Sequence, residues 1–310
     1  MAFPILNEFF LLRWQFLNEF CVFMGEHCRL TKQSKIGSES RYPLLLKIAE
    51  GAIANHDRRT LAAIMAVVGL MLGSFATVLI HRLPRKEKFV KGRSQCPSCK
   101  EPLAPIDLIP VFTWLFLLGR CRHCKVRISF KYPLIELTSC LIAVSVINQH
   151  GASIASVVLA ISCIGLAITA TIDALTRRLP NRAIITIAIF ELIGFFADAV
   201  VNDSWQDFKR AALVAILATG VALIFYFVSR GGLGEGDVKF APIVWLPLGW
   251  LSWGAAFGAY LIAAVIAVLW TVVFGIMQRR IRKVSIPLGP ALALGAIITI
   301  IADFSWKAGV

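Results

Sequence analysis

The sequence predicts an all-α polytopic membrane protein of about eight transmembrane helices. Three observations carry that reading. Hydrophobic residues fill 58% of the 310 positions and charged residues only 16%, a balance far from that of a soluble globular domain. Apolar stretches near the ~20 residues that cross a bilayer recur along the chain. The basic residues gather in segments that fall on one side once those stretches are threaded, as the positive-inside rule requires.

Residues 1–60 form an N-terminal extension, first amphipathic and then polar. Positions 3–23 are rich in Phe, Leu and Trp, with Asn7, Glu8, Gln15, Asn18 and Glu19 on one helical face. That pattern suits an interfacial helix rather than a span. Glu8, Arg13 and Glu19 interrupt the run and argue against a cleavable signal peptide. The stretch 29–59 reads as a polar tail. The first transmembrane helix is expected over 61–80; small residues near its end permit close helix approach, Arg82 marks the exit and Pro84 the stop. A loop over 81–132 follows. Residues 133–310 form the membrane core, with crossings near 134–150, 153–172, 183–200, 211–229, 240–252, 254–276 and 288–303. The stretch 240–252 is short and holds Pro242 and Pro247, so it can also be re-entrant.

Between His81 and Tyr132 stand twelve Lys or Arg against three acids, Glu87, Glu101 and Asp107. Arg177, Arg178, Arg182, Arg230, Lys239 and the basic run 279–283 fall on the same side, which the positive-inside rule makes cytoplasmic. The opposite loop, 198–210, carries Asp198, Asp203 and Asp207. The net charge of +14 is therefore a topology signal from a protein partnered by membrane lipid; no nucleic-acid partner is expected.

Eight cysteines divide by setting. Cys96, Cys99, Cys121 and Cys124 form two CxxC knuckles inside the basic loop. In a reducing compartment that spacing reads as a structural zinc site with four thiolate ligands. Lys100, Arg120, Arg122 and Lys125 offset the negative charge of such a site. Cys140 and Cys163 sit in apolar runs as small core residues. Between the knuckles, 105–115 is apolar but too short and Pro-rich to span, and is expected against the membrane surface. Glu136 opens the second crossing, where the helix dipole favours an acid.

Chemistry is expected at Asp173 and Asp237. Asp173 closes the apolar run ITATID, and Asp237 closes Gly234-Glu235-Gly236-Asp237. A carboxylate at the edge of the hydrocarbon is a functional-site hypothesis by default. In the eight-crossing topology both lie at the cytoplasmic edge. If they converge, they make an acid/base dyad: one carboxyl keeps a proton while the other activates water, the chemistry of an aspartic endopeptidase. The competing structural readings pair Asp173 with Arg177 or Arg178, and Asp237 with Lys239.

Six segments in order, GSFATVLIHRLP, CPSCKEPLAPIDLIPVFTWLFLLGRCRHC, ISFKYPLIEL, IDALTRRLPN, GLGEGDVKF and IPLGPALALGA, resemble the bacterial type IV prepilin peptidases. That family also serves type II secretion pseudopilins. The resemblance runs from Gly69 to Ala296 and implies a multi-pass enzyme of the bacterial inner membrane, of the GxGD aspartic type. Such an enzyme cuts the leader from a prepilin or pseudopilin at the cytoplasmic face. It implies Asp173 and Asp237 as catalytic, Gly234 and Gly236 as supporting residues, and Cys96, Cys99, Cys121 and Cys124 as the cytoplasmic tetrad. Members with this loop also N-methylate the new terminus using S-adenosylmethionine, and Gly119 matches a glycine associated with that activity. The chain departs from the pattern at Thr77, where the family has asparagine, and in its extension 1–60. Acidic contacts for a basic leader are expected from Glu235, Glu136 and Asp107.

Overall fold

The computed structural model describes residues 43–82, 95–96, 98–176, 179–228, 234–277 and 288–303. The expected interfacial helix at 3–23 and the basic run 279–283 lie outside them. The chain divides into two compact units, 1–52 and 53–310. Of the first, only helical backbone from Pro43 is described.

Among the described residues the structure is helical, with two isolated antiparallel bridges and no strand. The main helices are α1 (Pro43–Arg82), the short α2 (Phe112–Phe116), α3 (Lys131–His150), α4 (Ile154–Thr176) and α5 (Asn181–Val201). They continue as α6 (Trp205–Val228), α7 (Glu235–Leu251), α8 (Trp253–Met277) and α9 (Leu288–Ala302). Helix α1 starts well before the expected position 61, so part of the presumed polar tail is helical. Proline as its first residue fits, because that position needs no amide hydrogen bond.

Among the described residues six helices are long and apolar enough to cross, against the eight expected of the whole chain: Asp57–Ile80 within α1, α3, α4, α5, α6 and most of α8. Helix α7 has 17 residues and α9 has 15. At 1.5 Å per residue these reach about 25 and 22 Å, short of a ~30 Å hydrocarbon layer. Both are buried between longer helices. Nine of the residues of α7, from Phe240 to Trp250, are buried, and α4 is the most enclosed of the crossing helices. The core is thus α4, α7 and α9, with α3, α5, α6 and α8 around them.

In lipid the hydrophobic effect does not distinguish a neighbouring helix from an acyl chain, so packing and hydrogen bonds hold helices together. Gly69 and Gly73 let α1 approach α3: a Cβ on Gly73 would lie 2.6 Å from the Glu136 Cα. Phe195 of α5 stacks on Trp250 of α7 with ring centroids 4.7 Å apart.

Polar groups inside the bundle are tied to helix ends. Asp198, expected in an acidic outer loop, is buried and caps α4 instead. It accepts from the Ala155 amide at 2.9 Å, from Asn202 Nδ2 at 3.0 Å and from Ser204 Oγ at 3.0 Å. At the other short helix end, Arg210 of α6 donates to the carbonyls of Gly249, Trp250 and Leu251. Its guanidinium also pairs with Asp207 at 2.8 Å. One cation thereby satisfies the last turn of α7, which would otherwise leave bare carbonyls at membrane depth. Glu191 of α5 is the exception. It is fully buried, and neither of its carboxyl oxygens, nor the nearby Ser162 hydroxyl of α4, has a hydrogen-bond partner.

Candidate active site and cysteine cluster

Asp173 lies in the last turn of α4 and is buried. Asp237 lies in the first turn of α7, where its amide donates to the Gly234 carbonyl at 3.1 Å. An acid suits that turn, because the unpaired amides of a helix start favour negative charge. The helices deliver the two residues to one place from opposite ends, one finishing and one starting.

The supporting glycines act by making room. Gly234 is in an ordinary extended conformation, φ −72° and ψ 143°, which any residue adopts. A Cβ there would sit 3.3 Å from the Asp237 Oδ2, and one on Gly236 would sit 3.2 Å from the Leu179 Cδ1. Gly236 thus packs the first turn of α7 against the loop that leaves α4, which carries Asp237 towards Asp173.

A third element completes the site, and the sequence reading missed it. Gly289, in the first turn of α9, is packed directly on the dyad. A Cβ on Gly289 would lie 2.8 Å from Asp173 Oδ2 and 3.8 Å from Asp237 Oδ1. The two carboxylate oxygens are therefore no farther apart than those two distances combined. The carboxyl of Asp237 lies close enough for its charge to act on Asp173, and the backbone amides of Gly234 and Gly289 lie against Asp237. Lys239 pairs with Glu235, one turn back on the exposed side of α7, rather than with Asp237. Arg177 and Arg178 lie outside the described residues.

The cysteine loop is built twice on one pattern. The Cys96 amide donates to Glu101 O at 3.0 Å and the Lys100 amide to Cys96 O at 2.9 Å. In the second knuckle the Cys121 amide donates to Val126 O at 2.9 Å and the Lys125 amide to Cys121 O at 3.1 Å. Bridges Gln95–Pro102 and Arg120–Arg127 close the two turns, and Lys100 and Lys125 take matching left-handed angles, φ 61° and 58°. The four Sγ atoms lie within 4.8 Å of one another, with Cys96 and Cys124 at 3.8 Å, and all four thiols are free. Four sulfurs at ~2.3 Å from one tetrahedral ion would stand about 3.8 Å apart, so the Cys96–Cys124 spacing already matches such a site and the other sulfurs lie within about 1 Å of it.

The sulfurs are unequal. Backbone amides of Cys99 and Ser98 hold the Cys96 thiol down at about 6. At Cys99 the Glu101 amide acts the same way but is outweighed by burial and by the Cys96, Cys124 and Cys121 sulfurs, which push it up to about 11. A central dication removes that conflict by favouring all four thiolates.

Gly119 is fixed by shape. Its φ is +66°, and a Cβ would strike the Trp114 ring at 2.8 Å. Its amide donates to Trp114 O at 2.8 Å and its carbonyl accepts from the Ile128 amide at 2.7 Å. Between the knuckles, the segment 105–118 forms a strap of one 3-10 turn (Pro105–Leu108) and α2. Val111 sits in the left-handed region at φ 60°, uncommon for a β-branched residue. Its amide donates to Glu136 Oε2 at 2.7 Å, which ties the strap to α3.

None of the three acids expected to meet a leader is free for it. Glu136 holds Val111, Asp107 pairs with Arg122 at 2.7 Å, and Glu235 pairs with Lys239. The partners of Glu136 and Asp107 come from distant positions that residue type does not reveal, whereas Lys239 stands one turn from Glu235 on the same helix.

Comparison with known proteins places this geometry in context. Residues 67–150 match the Bacterial Peptidase A24 N-terminal domain, and residues 160–276 match the Type IV leader peptidase family. A Bacillus subtilis (strain 168) protein named prepilin leader peptidase/N-methyltransferase is 32% identical over 239 residues, 76% of this chain and 92% of that protein. Proteins of the same name from Burkholderia pseudomallei (strain 1026b) and Stutzerimonas stutzeri are each 30% identical, over 271 and 265 residues. Those alignments cover 77% and 76% of this chain, and 84% and 88% of the relatives. No solved structure matches the chain.

Proposed function

The chain belongs to the type IV leader peptidase family, and on that premise we propose that Asp173 and Asp237 are its catalytic pair. It is a multi-pass membrane enzyme that removes the leader of prepilins and N-methylates the new N-terminal residue. The observation that supports the aspartates is their joint approach, from α4 and α7, to Gly289 of α9.

The chemistry follows from two carboxyl groups sharing one proton. The ionised aspartate takes a proton from water as the water oxygen attacks the scissile carbonyl carbon. Its protonated partner hydrogen-bonds to the carbonyl oxygen, then gives its proton to the leaving nitrogen as the C–N bond breaks. The products are a leader carboxylic acid and a free pilin amine, and the pair again holds one proton with the roles exchanged. No covalent intermediate is needed, and the assignment of acid and base belongs to the pair.

The substrate enters laterally as an apolar helix, its basic leader meeting the dyad at the cytoplasmic face of the inner membrane. The basic segments around 81–132 support that orientation. Pseudopilins of type II secretion share the same leader chemistry and are substrates of the same site. Zinc is the ion proposed for Cys96, Cys99, Cys121 and Cys124, as a structural clasp rather than a reactant. S-adenosylmethionine is the methyl donor proposed for the second reaction, and Gly119 would bear on it only through the loop shape it permits.

The deciding experiment uses purified protein, a prepilin and labelled S-adenosylmethionine. A leader-sized mobility shift is expected, with label only in the shortened product. Label without cleavage would reverse the proposed order, and cleavage without label would leave a peptidase alone. Inside-out vesicles are expected to process prepilin without detergent; processing only in right-side-out vesicles would overturn the orientation. Metal analysis of the same preparation is expected to find about one zinc per chain. Cys121→Ser should lose the zinc and the methyl transfer while retaining cleavage, since no cysteine lies in the dyad. Full methylation by zinc-free protein would remove the ion from the account.

A further inference from the structure

The strap 105–118 carries apolar side chains that none of the described residues covers. Phe116 is 84% exposed and Leu118 83%, and Phe112 and Leu115 are each 55% exposed. Phe116 and Leu118 are more exposed than Phe257, on the crossing helix α8, at 62%, and Phe112 and Leu115 come close to it. Contiguous exposure of this kind marks an interaction surface.

Two further observations say what covers it. The first is depth. The strap is pinned through the Val111 amide to Glu136, five residues into the crossing helix α3. Five residues of helix advance about 8 Å, which lies within the ~5–10 Å that interfacial helices penetrate. The second is charge. The apolar stretch runs straight into Arg120, Arg127 and Lys131, all exposed. Cations beside a shallow apolar segment match an anionic lipid surface.

We propose that the strap is a lipid anchor: Phe112, Leu115, Phe116 and Leu118 enter the headgroup–acyl boundary while Arg120, Arg127 and Lys131 engage anionic headgroups. This holds the cysteine cluster, whose knuckles flank the strap, against the membrane plane. The alternative occupant is an apolar prepilin helix. Lipid is favoured because the tie to α3 sets the strap at bilayer depth and because the flanking charges repel a basic leader. The proposal is independent of the roles given to the aspartates.

The test places a benzophenone phenylalanine at Phe116 of the full chain in vesicles of phosphatidylethanolamine and phosphatidylglycerol. The same probe at Phe257 and at Glu101, exposed in the first knuckle, gives the two references. Photolysis at 116 is expected to yield lipid adducts within about twofold of the Phe257 level and about tenfold above Glu101. In vesicles of phosphatidylcholine alone the 116 yield should fall several-fold. Adducts at 116 no more frequent than at Glu101 would overturn the anchor. So would transfer of the adduct from lipid to prepilin when prepilin is added, which would assign the surface to substrate. An unchanged yield in phosphatidylcholine would overturn the role of the headgroup charge.

Discussion

Asp173→Asn and Asp237→Asn are each expected to reduce leader cleavage by at least ~10³-fold while methyl transfer to an already shortened pilin continues. Asparagine keeps the shape of the side chain and can still accept from the Gly234 and Gly289 amides that lie against position 237. What it cannot do is carry or take the shared proton. The second reaction serves as an internal control, because a variant that still methylates is inserted and folded. Rates should be measured on purified protein with prepilin for cleavage and pre-cleaved pilin for methylation. Either variant cutting within about tenfold of the unmodified enzyme would sink the two-aspartate mechanism. Loss of both activities together would point to misfolding, and the pair Asp173→Glu and Asp237→Glu would then separate charge from shape.

Gly289→Ala is expected to cost cleavage on the order of 10²-fold, although Gly289 has no side chain to take part in the chemistry. The added methyl would stand 2.8 Å from Asp173 Oδ2, closer than a real Cβ tolerates. Either Asp173 turns away from Asp237 or α9 withdraws from α4 and α7, and both change the spacing of the dyad. A displacement near 1 Å is enough for a loss of this size. The loss should appear in kcat rather than KM, since the methyl acts on the spacing of the two carboxyl groups. Gly220→Ala is the matched control: a Cβ there meets nothing within 4 Å, and cleavage should be unchanged. If Gly289→Ala cleaves within about twofold of the control, α9 does not set the geometry of the pair.

Much of this could be read from the chain. The apolar runs located each helix of the core to within a few residues, because hydrocarbon imposes length and composition together. The CxxC spacing located the sulfur cluster, because four tetrahedral ligands on two tight turns leave a local signature. Helices α7 and α9 were placed correctly but are shorter than crossings; a helix shielded by neighbours need not match the bilayer, and hydropathy alone does not register that shielding. Gly289 was invisible for a different reason. Its role is a close approach between segments far apart in sequence, and only the IPLGPALALGA string hinted at a packed helix start. Asp198 and Glu136 looked like surface or functional acids, yet each serves a backbone amide in another element. Partners of that kind are chosen by tertiary structure, and residue type carries no trace of them.

The paired knuckles have a consequence for the free energy of the loop itself. Cys99 and Cys121 sit at the two ends of the strap, so an ion shared between them turns an open excursion of the chain into a closed ring. Closing a ring of that size removes on the order of 3 kcal/mol of chain entropy from the unfastened state. Part of the cost of ordering the strap would thus be met at its ends. The membrane bundle does not share in that closure. With zinc bound as proposed, its removal by a chelator should therefore raise hydrogen exchange across 100–120 while the amides of α4 and α7 keep their protection.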